Sequence, residues 1–234
     1  MYKVILWDID GTLLDFKAAE KAAIRKCFEV FELGECTDDM LAQYSDINVK
    51  YWQALERGDM TKPEILVGRF AEFFEKQGLD TSIAPDFNAE YQERLGDTIV
   101  FAEGAKETLE SLKGHCIQCA VTNGTKIAQE KKLRNSGLDE IFDYVFISEE
   151  YGVEKPNPVF FDKILEVLSD MEDATFEPEE FLMVGDSLTS DMQFGENAGL
   201  CNCWYNPEKK PLDKPLLIDY QIRNLTDIQL ILEF

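Results

Sequence analysis

Short apolar runs, each bounded by Gly, Asp or Asn, recur at residues 3–7, 116–121, 144–147, 181–184 and about 200–204, and helix-period segments lie between most of them. No other feature narrows the possible folds as much, because strands that alternate with helices predict a parallel sheet with helical crossovers. The helices are expected near 104–113, 125–136, 157–169 and 188–198, with a terminal helix over 224–233 capped by Asn224 or Thr226. Right-handed crossovers then give a Rossmann-like α/β core with a doubly wound parallel sheet.

One interval breaks the alternation. From about residue 15 to 100 the pattern is helical and amphipathic, with breaks near Gly34, Gly58-Asp59, Gly78 and Pro85 that delimit about four helices. Leu66, Phe70, Phe73 and Phe74 recur at helical spacing, as packing within a bundle requires. The chain is therefore divided into an α/β core, 1–14 and 101–234, and an inserted α-helical domain, 15–100. The acidic stretch Ser169–Glu180 with its Pro178 reads as a solvated loop.

The formal net charge is −23, from 46 acidic and 23 basic residues. Such a field repels phosphate polymers, so no nucleic-acid polymer is expected as a partner. A small phosphorylated molecule stays compatible, because a divalent cation and a few Lys or Arg side chains overcome a diffuse surface charge locally. The first apolar run is too short for a signal peptide, and nothing approaches the ~18 apolar residues of a membrane span. A cytoplasmic protein with no membrane partner is expected. Cys116 and Cys119 form a CxxC spacing, but in a strand residues three apart point to opposite faces, which favours packed, reduced thiols over a metal site.

Four segments carry residues able to do chemistry. Asp8-Ile9-Asp10-Gly11-Thr12 leaves the first strand where α/β sheets bind ligands, and two carboxylates so close make best sense around a cation or with one protonated. An Asp-Gly turn with solvated acids is the plain alternative. Val121-Thr122-Asn123-Gly124 ends a second strand with a hydroxyl, an amide and a glycine suited to phosphate. Lys155 precedes Pro156 in a stretch whose prolines restrain its approach, and Gly185-Asp186 ends a further strand, with Asp191 five residues later near a helix start. Oxygen ligands of this kind suit Mg²⁺.

In their order along the chain, DIDGT, TNG, KPNP and GDSLTSD resemble the motifs of the haloacid dehalogenase superfamily, with the insert in the position of that superfamily's helical cap. Ile47-Asn48, Trp52, Gly58, Gly68-Arg69-Phe70, Ile147–Val153, Asn197–Leu200 and Trp204–Pro207 are similar to the pyrimidine 5′-nucleotidase branch. The resemblance implies a phosphatase acting on a small-molecule phosphomonoester, a nucleotide in that branch. It makes Asp8 the nucleophile, with Mg²⁺ held by Asp8, the Asp10 backbone carbonyl and Asp186. Asp10 becomes the acid and base, Thr122 and Lys155 neutralise the phosphoryl group, Asn123 contacts phosphate, and Asp191 orients the metal shell or Lys155. Asn48, Trp52 and Arg69 are candidates for nucleoside contact, against a plainer role in cap packing. Phosphoglycolate, a sugar phosphate or phosphomutase chemistry are the alternatives within the superfamily. A binding or regulatory module is the alternative outside catalysis.

Overall fold

The computed structural model describes residues 2–232. Strands β1 (Val4–Trp7), β2 (Ile117–Thr122), β3 (Tyr144–Ile147), β4 (Phe181–Gly185), β5 (Cys201–Tyr205) and β6 (Tyr220–Ile222) form one sheet, parallel throughout, in the order β3-β2-β1-β4-β5-β6. The chain steps outward from β1 through β2 to β3, then crosses to the other side for β4, β5 and β6. That reversal between β1 and β4 opens a crevice at their carboxyl ends, the standard ligand position in such sheets. Register pairs Trp7 with Ala120 on one side and Val184 on the other, so β1, β2 and β4 point their ends into the same crevice.

Both faces of the sheet are covered, and side chains alternate between them. Ile5, Trp7, Ala120, Leu182 and Val184 pack on one side with Leu109, Leu112 and Ile228. Val4, Leu6, Cys119, Val121 and Met183 pack on the other with Phe160, Ile164 and Leu168. The CxxC pair splits between these layers, Cys116 against the first and Cys119 within the second, and both thiols are free.

Lys17–Thr98 form one compact unit and the other described residues a second. Helix α1 (Phe16–Val30) is followed by α2 (Asp38–Glu56), α3 (Lys62–Gln77) and α4 (Ala84–Arg94). Thr61 and Glu64 make a reciprocal capping box at the start of α3, and Gly78 ends it with φ of 66°. The centre of this unit is aromatic: Tyr44 stacks on Phe70 at 4.9 Å between ring centroids, and Phe74 meets Phe87 edge-on at the same distance. Ile65 is buried on this face and Leu66 only half-buried, a shift of one residue from the spacing read in the sequence.

The remaining helices serve the core: α5 (Ala105–Leu112), α6 (Lys126–Ser136), α7 (Ser148–Tyr151), α8 (Val159–Glu172), α9 (Gln193–Ala198) and α10 (Ile228–Leu232). Two expectations need correction. The stretch Ser169–Glu180 is not a simple solvated loop, since α8 continues to Glu172 and Phe176 is buried against Phe181. The segment 188–198 is not one α-helix, since Leu188–Met192 is a π-turn that precedes α9. At the carboxyl end Asn224, rather than Thr226, makes the capping box with Asp227. The last residue of the helix expected over 224–233 lies outside the described residues. Among the described residues, no helix is long and apolar enough to cross a membrane.

Candidate active site

The crevice between β1 and β4 collects the charged residues of the core. Asp8 follows β1 directly, and its backbone N–H continues the ladder by donating to the Val184 carbonyl at 2.9 Å. Its Oδ1 accepts from Lys155 Nζ at 2.9 Å and its Oδ2 from Thr12 Oγ1 at 2.9 Å. Lys155, only 1% exposed, also donates to the Val121 carbonyl at 2.7 Å and to Asp191 Oδ1 at 2.7 Å. One ammonium thereby bridges two carboxylates and the end of β2, using all three of its donors.

Asp191 reaches this position through the π-turn, which folds its carboxylate back so that Oδ2 accepts the Ser187 backbone N–H at 3.0 Å. Asn123 fixes the Lys155 peptide from both sides: its Oδ1 accepts the Lys155 N–H at 2.9 Å and its Nδ2 donates to the Lys155 carbonyl at 2.8 Å. Its Nδ2 also donates to Ser190 Oγ at 3.3 Å, so the side-chain amide joins the lysine loop to the π-turn. Thr122 is buried, and its Oγ1 accepts from the Gly124 N–H at 3.1 Å.

Asp8, Asp186 and Asp191 bring carboxylate oxygens within 4.8 Å of one another. Burial pushes the Asp8 carboxyl well above the ordinary carboxylate range, and Asp191 adds to this while Lys155 opposes it. Burial, followed by Asp191, pushes Asp186 up to about 7. Like charges crowded in a dry crevice are what a divalent cation relieves, and an all-oxygen donor set suits Mg²⁺. Gly11 preserves the room: it has φ of 98°, and a Cβ there would stand 2.7 Å from Asp186 Oδ1. The residues present therefore fit a divalent cation. Asp8, Asp186 and Asp191 are the carboxylates close enough together to share it.

Lys155 is fixed the opposite way. Burial would lower its pKa, but Asp191 and Asp8 outweigh burial and hold it above its ordinary value, so it is a permanent cation beside Asp8.

Asp10 turns toward α6 instead. Its Oδ1 accepts from Lys132 Nζ at 2.5 Å and its Oδ2 from Gln129 Nε2 at 2.6 Å. Neither partner was foreseen, because KIAQEKKLRNS carries little apolar pattern from which a buried face could be read. The one available signal was that Lys132 falls one helical turn after Ala128, on the buried face. Thr12 was also missed as a partner of Asp8.

Asn48, Trp52 and Arg69 lie within the helical unit. Asn48 Nδ2 donates to Glu20 Oε2 at 2.7 Å, Arg69 donates to Asn48 Oδ1 at 2.7 Å and to Asn88 Oδ1 at 3.2 Å, and Glu20, Asn48 and Arg69 are all buried. Burying Glu20 raises its pKa, against the hydrogen bonds and Arg69 that lower it, so Arg69 and Asn48 compensate a buried acid. Trp52 is half-buried, with the Arg69 guanidinium 6.0 Å from its ring centroid.

A doubly wound parallel sheet with an acid-lysine cluster at its switch point defines a Rossmann-like α/β protein with a candidate active site at the carboxyl ends of β1 and β4. The chain belongs to the haloacid dehalogenase-like hydrolase family, whose model matches residues 2–199. It is 36% identical to the HAD-hydrolase YfnB of Bacillus subtilis over 231 residues, 99% of this chain and 95% of that protein. It is 35% identical to pyrimidine 5′-nucleotidase PynA of Streptococcus pneumoniae, covering 97% of this chain and 94% of that one. A crystal structure of B. subtilis YfnB bound to magnesium superposes with a TM-score of 0.91 at 35% identity, covering 100% of this chain and 99% of the other.

Proposed function

We propose that this hydrolase is a Mg²⁺-dependent phosphomonoesterase that works through an aspartyl phosphate on Asp8, and that its substrates are pyrimidine nucleoside 5′-monophosphates, ribo or deoxy. The observation that carries the reading is the buried Asp8 carboxylate held between Lys155 and Thr12 beside Asp186. The likeness to PynA over nearly its whole length supports the substrate class. Mg²⁺, held by Asp8 and Asp186 with the Asp10 backbone carbonyl, supplies charge neutralisation between the nucleophile and an anionic phosphoryl group.

The residues of the chain do the rest. An Asp8 oxygen forms a bond to phosphorus as the ester P–O bond breaks, and the departing oxygen takes its electron pair and a proton from Asp10. Water then attacks the aspartyl phosphate, its proton passes to Asp10, and the Asp8 O–P bond breaks to release phosphate. Lys155 neutralises charge on the equatorial oxygens, and the Thr122 hydroxyl donates a hydrogen bond to them. Asn123 acts through the lysine loop, and Asp191 orients Lys155. In the helical unit, taken as a cap, Asn48 and Arg69 support packing around Glu20, and Trp52 offers the base a stacking surface.

Phosphate release from a panel of nucleoside monophosphates, sugar phosphates and phosphoglycolate tests the reading, with Mg²⁺ and with EDTA. Activity that needs the metal and favours pyrimidine nucleotides is expected, and Trp52→Ala lowers that preference. Preference for another ester would overturn the substrate assignment, and no metal-dependent turnover on any ester would overturn the phosphatase reading. The raised Asp186 pKa adds a pH effect, because the proton and the cation compete for the same oxygens. Titration calorimetry is expected to find Mg²⁺ half-saturation about tenfold higher at about pH 6 than at about pH 8, and a flat profile would oppose it.

A further inference from the structure

Asp10 is gripped by two side chains of α6 that the chemistry above does not employ. Lys132 is 2% exposed and Gln129 1% exposed, although Lys and Gln are ordinarily surface residues. They sit three residues apart, which places both on one face of α6, and each takes a different oxygen of the same carboxylate. Lys132 is further fixed by the ring of Phe16, whose centroid lies 5.1 Å from Nζ.

Two features indicate that this grip is maintained at a local cost. With its Nε2 on Asp10, Gln129 leaves Oε1 buried without a hydrogen-bond partner among the described residues. A buried acceptor left unpaired is unfavourable, so the carboxamide is not placed there for stability alone. The Gln129 carboxamide also crosses directly over Gly124, where a Cβ would meet its Nε2 at 2.1 Å. Any larger residue at position 124 would displace the amide from Asp10.

We infer that Lys132 and Gln129 are positioning residues for Asp10, holding its carboxyl in a single orientation from which it delivers a proton to the leaving oxygen. The inference rests on the proposed phosphatase chemistry. A carboxylate on a single bond between Cβ and Cγ otherwise rotates freely, and an acid that must meet one ester oxygen loses rate when its orientation is spread. Because the pair acts through Asp10, its loss should be felt only where leaving-group protonation is needed.

That dependence gives a test which a merely structural role would not satisfy. First-turnover leaving-group release is measured by rapid quench for Lys132→Met and Gln129→Met, using p-nitrophenyl phosphate and a pyrimidine nucleoside 5′-monophosphate. The p-nitrophenolate leaves without a proton, whereas the nucleoside alkoxide does not. For Lys132→Met, nucleoside release is expected to fall about tenfold or more, with p-nitrophenol release within about threefold of wild type. Gln129→Met should show the same split at smaller size, and it carries the test if Lys132→Met fails to fold. Equal losses on both esters, or no loss on either, would overturn the positioning role while leaving the phosphatase reading intact. Failure of the wild-type enzyme to release either leaving group would remove the reading and the inference together.

Discussion

Asp8→Asn is expected to lower turnover by at least about a thousandfold with little change in folding, because an amide occupies the same volume but lacks the anionic oxygen that must bond to phosphorus. The same substitution removes one of the crowded buried carboxylates. Asp8 has a pKa raised by burial and by Asp191, so its charged form is disfavoured in the folded protein. The sign follows directly: the folded state holds a proton there that the unfolded chain releases, so this group costs stability increasingly as pH rises above the ordinary carboxylate range. In metal-free protein, Asp8→Asn should therefore be as stable as wild type or more stable, with the difference growing toward alkaline pH. A dead enzyme that is at least as stable as its parent marks a residue kept for chemistry, as a chemical-denaturation series beside the assay would register.

Lys155→Met has the opposite profile, since it harms both fold and rate. The ammonium is the shared partner of Asp8 at 2.9 Å and Asp191 at 2.7 Å, and its removal leaves two buried acids without their cation. Breaking a buried pair in this way costs about 3–5 kcal/mol. Lys155 has a raised pKa, so its own contribution persists at every pH below the unfolded lysine value and is lost only when pH climbs through the higher folded one. The variant's deficit nevertheless depends on pH through its orphaned partners. As pH falls Asp8, whose pKa is raised by burial, takes up a proton and ceases to need a cation, so the gap from wild type in urea unfolding of metal-free protein should be smaller at about pH 5 than at about pH 8. Turnover should fall by about a hundredfold or more, because the same ammonium neutralises the transferring phosphoryl group. A gap independent of pH would mean that Lys155 matters through packing of its stem.

Asp8 and Asp186 were legible in the sequence because each follows from a local rule. Asp8 and Asp186 stand at the ends of apolar runs, and an α/β sheet puts strand ends into one crevice. Strands β1 to β5 were equally plain, being short, mainly apolar runs with most of their residues buried. Strand β6 was not, since Tyr220–Ile222 has three residues, and it follows an irregular stretch after β5 in place of a helical crossover. The Asp191 carboxylate was assigned to a helix start because five residues of π-turn have no distinctive composition. Gln129 and Lys132 were invisible for a different reason. Their helix is so polar that its buried face, Ala128, Gln129, Lys132 and Leu133, stands out only once Asp10 is known to lie opposite. Pattern reading finds polar residues at strand ends well, but it misses polar residues buried by a partner distant in sequence.

The buried network of the helical unit carries the same lesson. For Asn48 and Arg69 the sequence leaves nucleoside contact and cap packing both open, and in the structure Asn48 donates to Glu20 while Arg69 donates to Asn48 and Asn88. A forked donor and an amide look alike in sequence whether they meet a ligand or a buried carboxylate, and only the partner at position 20 separates the two.

The central claim is that Asp8 carries the phosphoryl group, and the most direct measurement is acid quench during turnover followed by peptide mass spectrometry. The account predicts one added phosphoryl group on the peptide containing Asp8, formed only with a phosphomonoester and Mg²⁺ and absent from Asp8→Asn. Phosphate release by Asp8→Asn at the wild-type rate, or a phosphoryl group trapped on another residue, would contradict it.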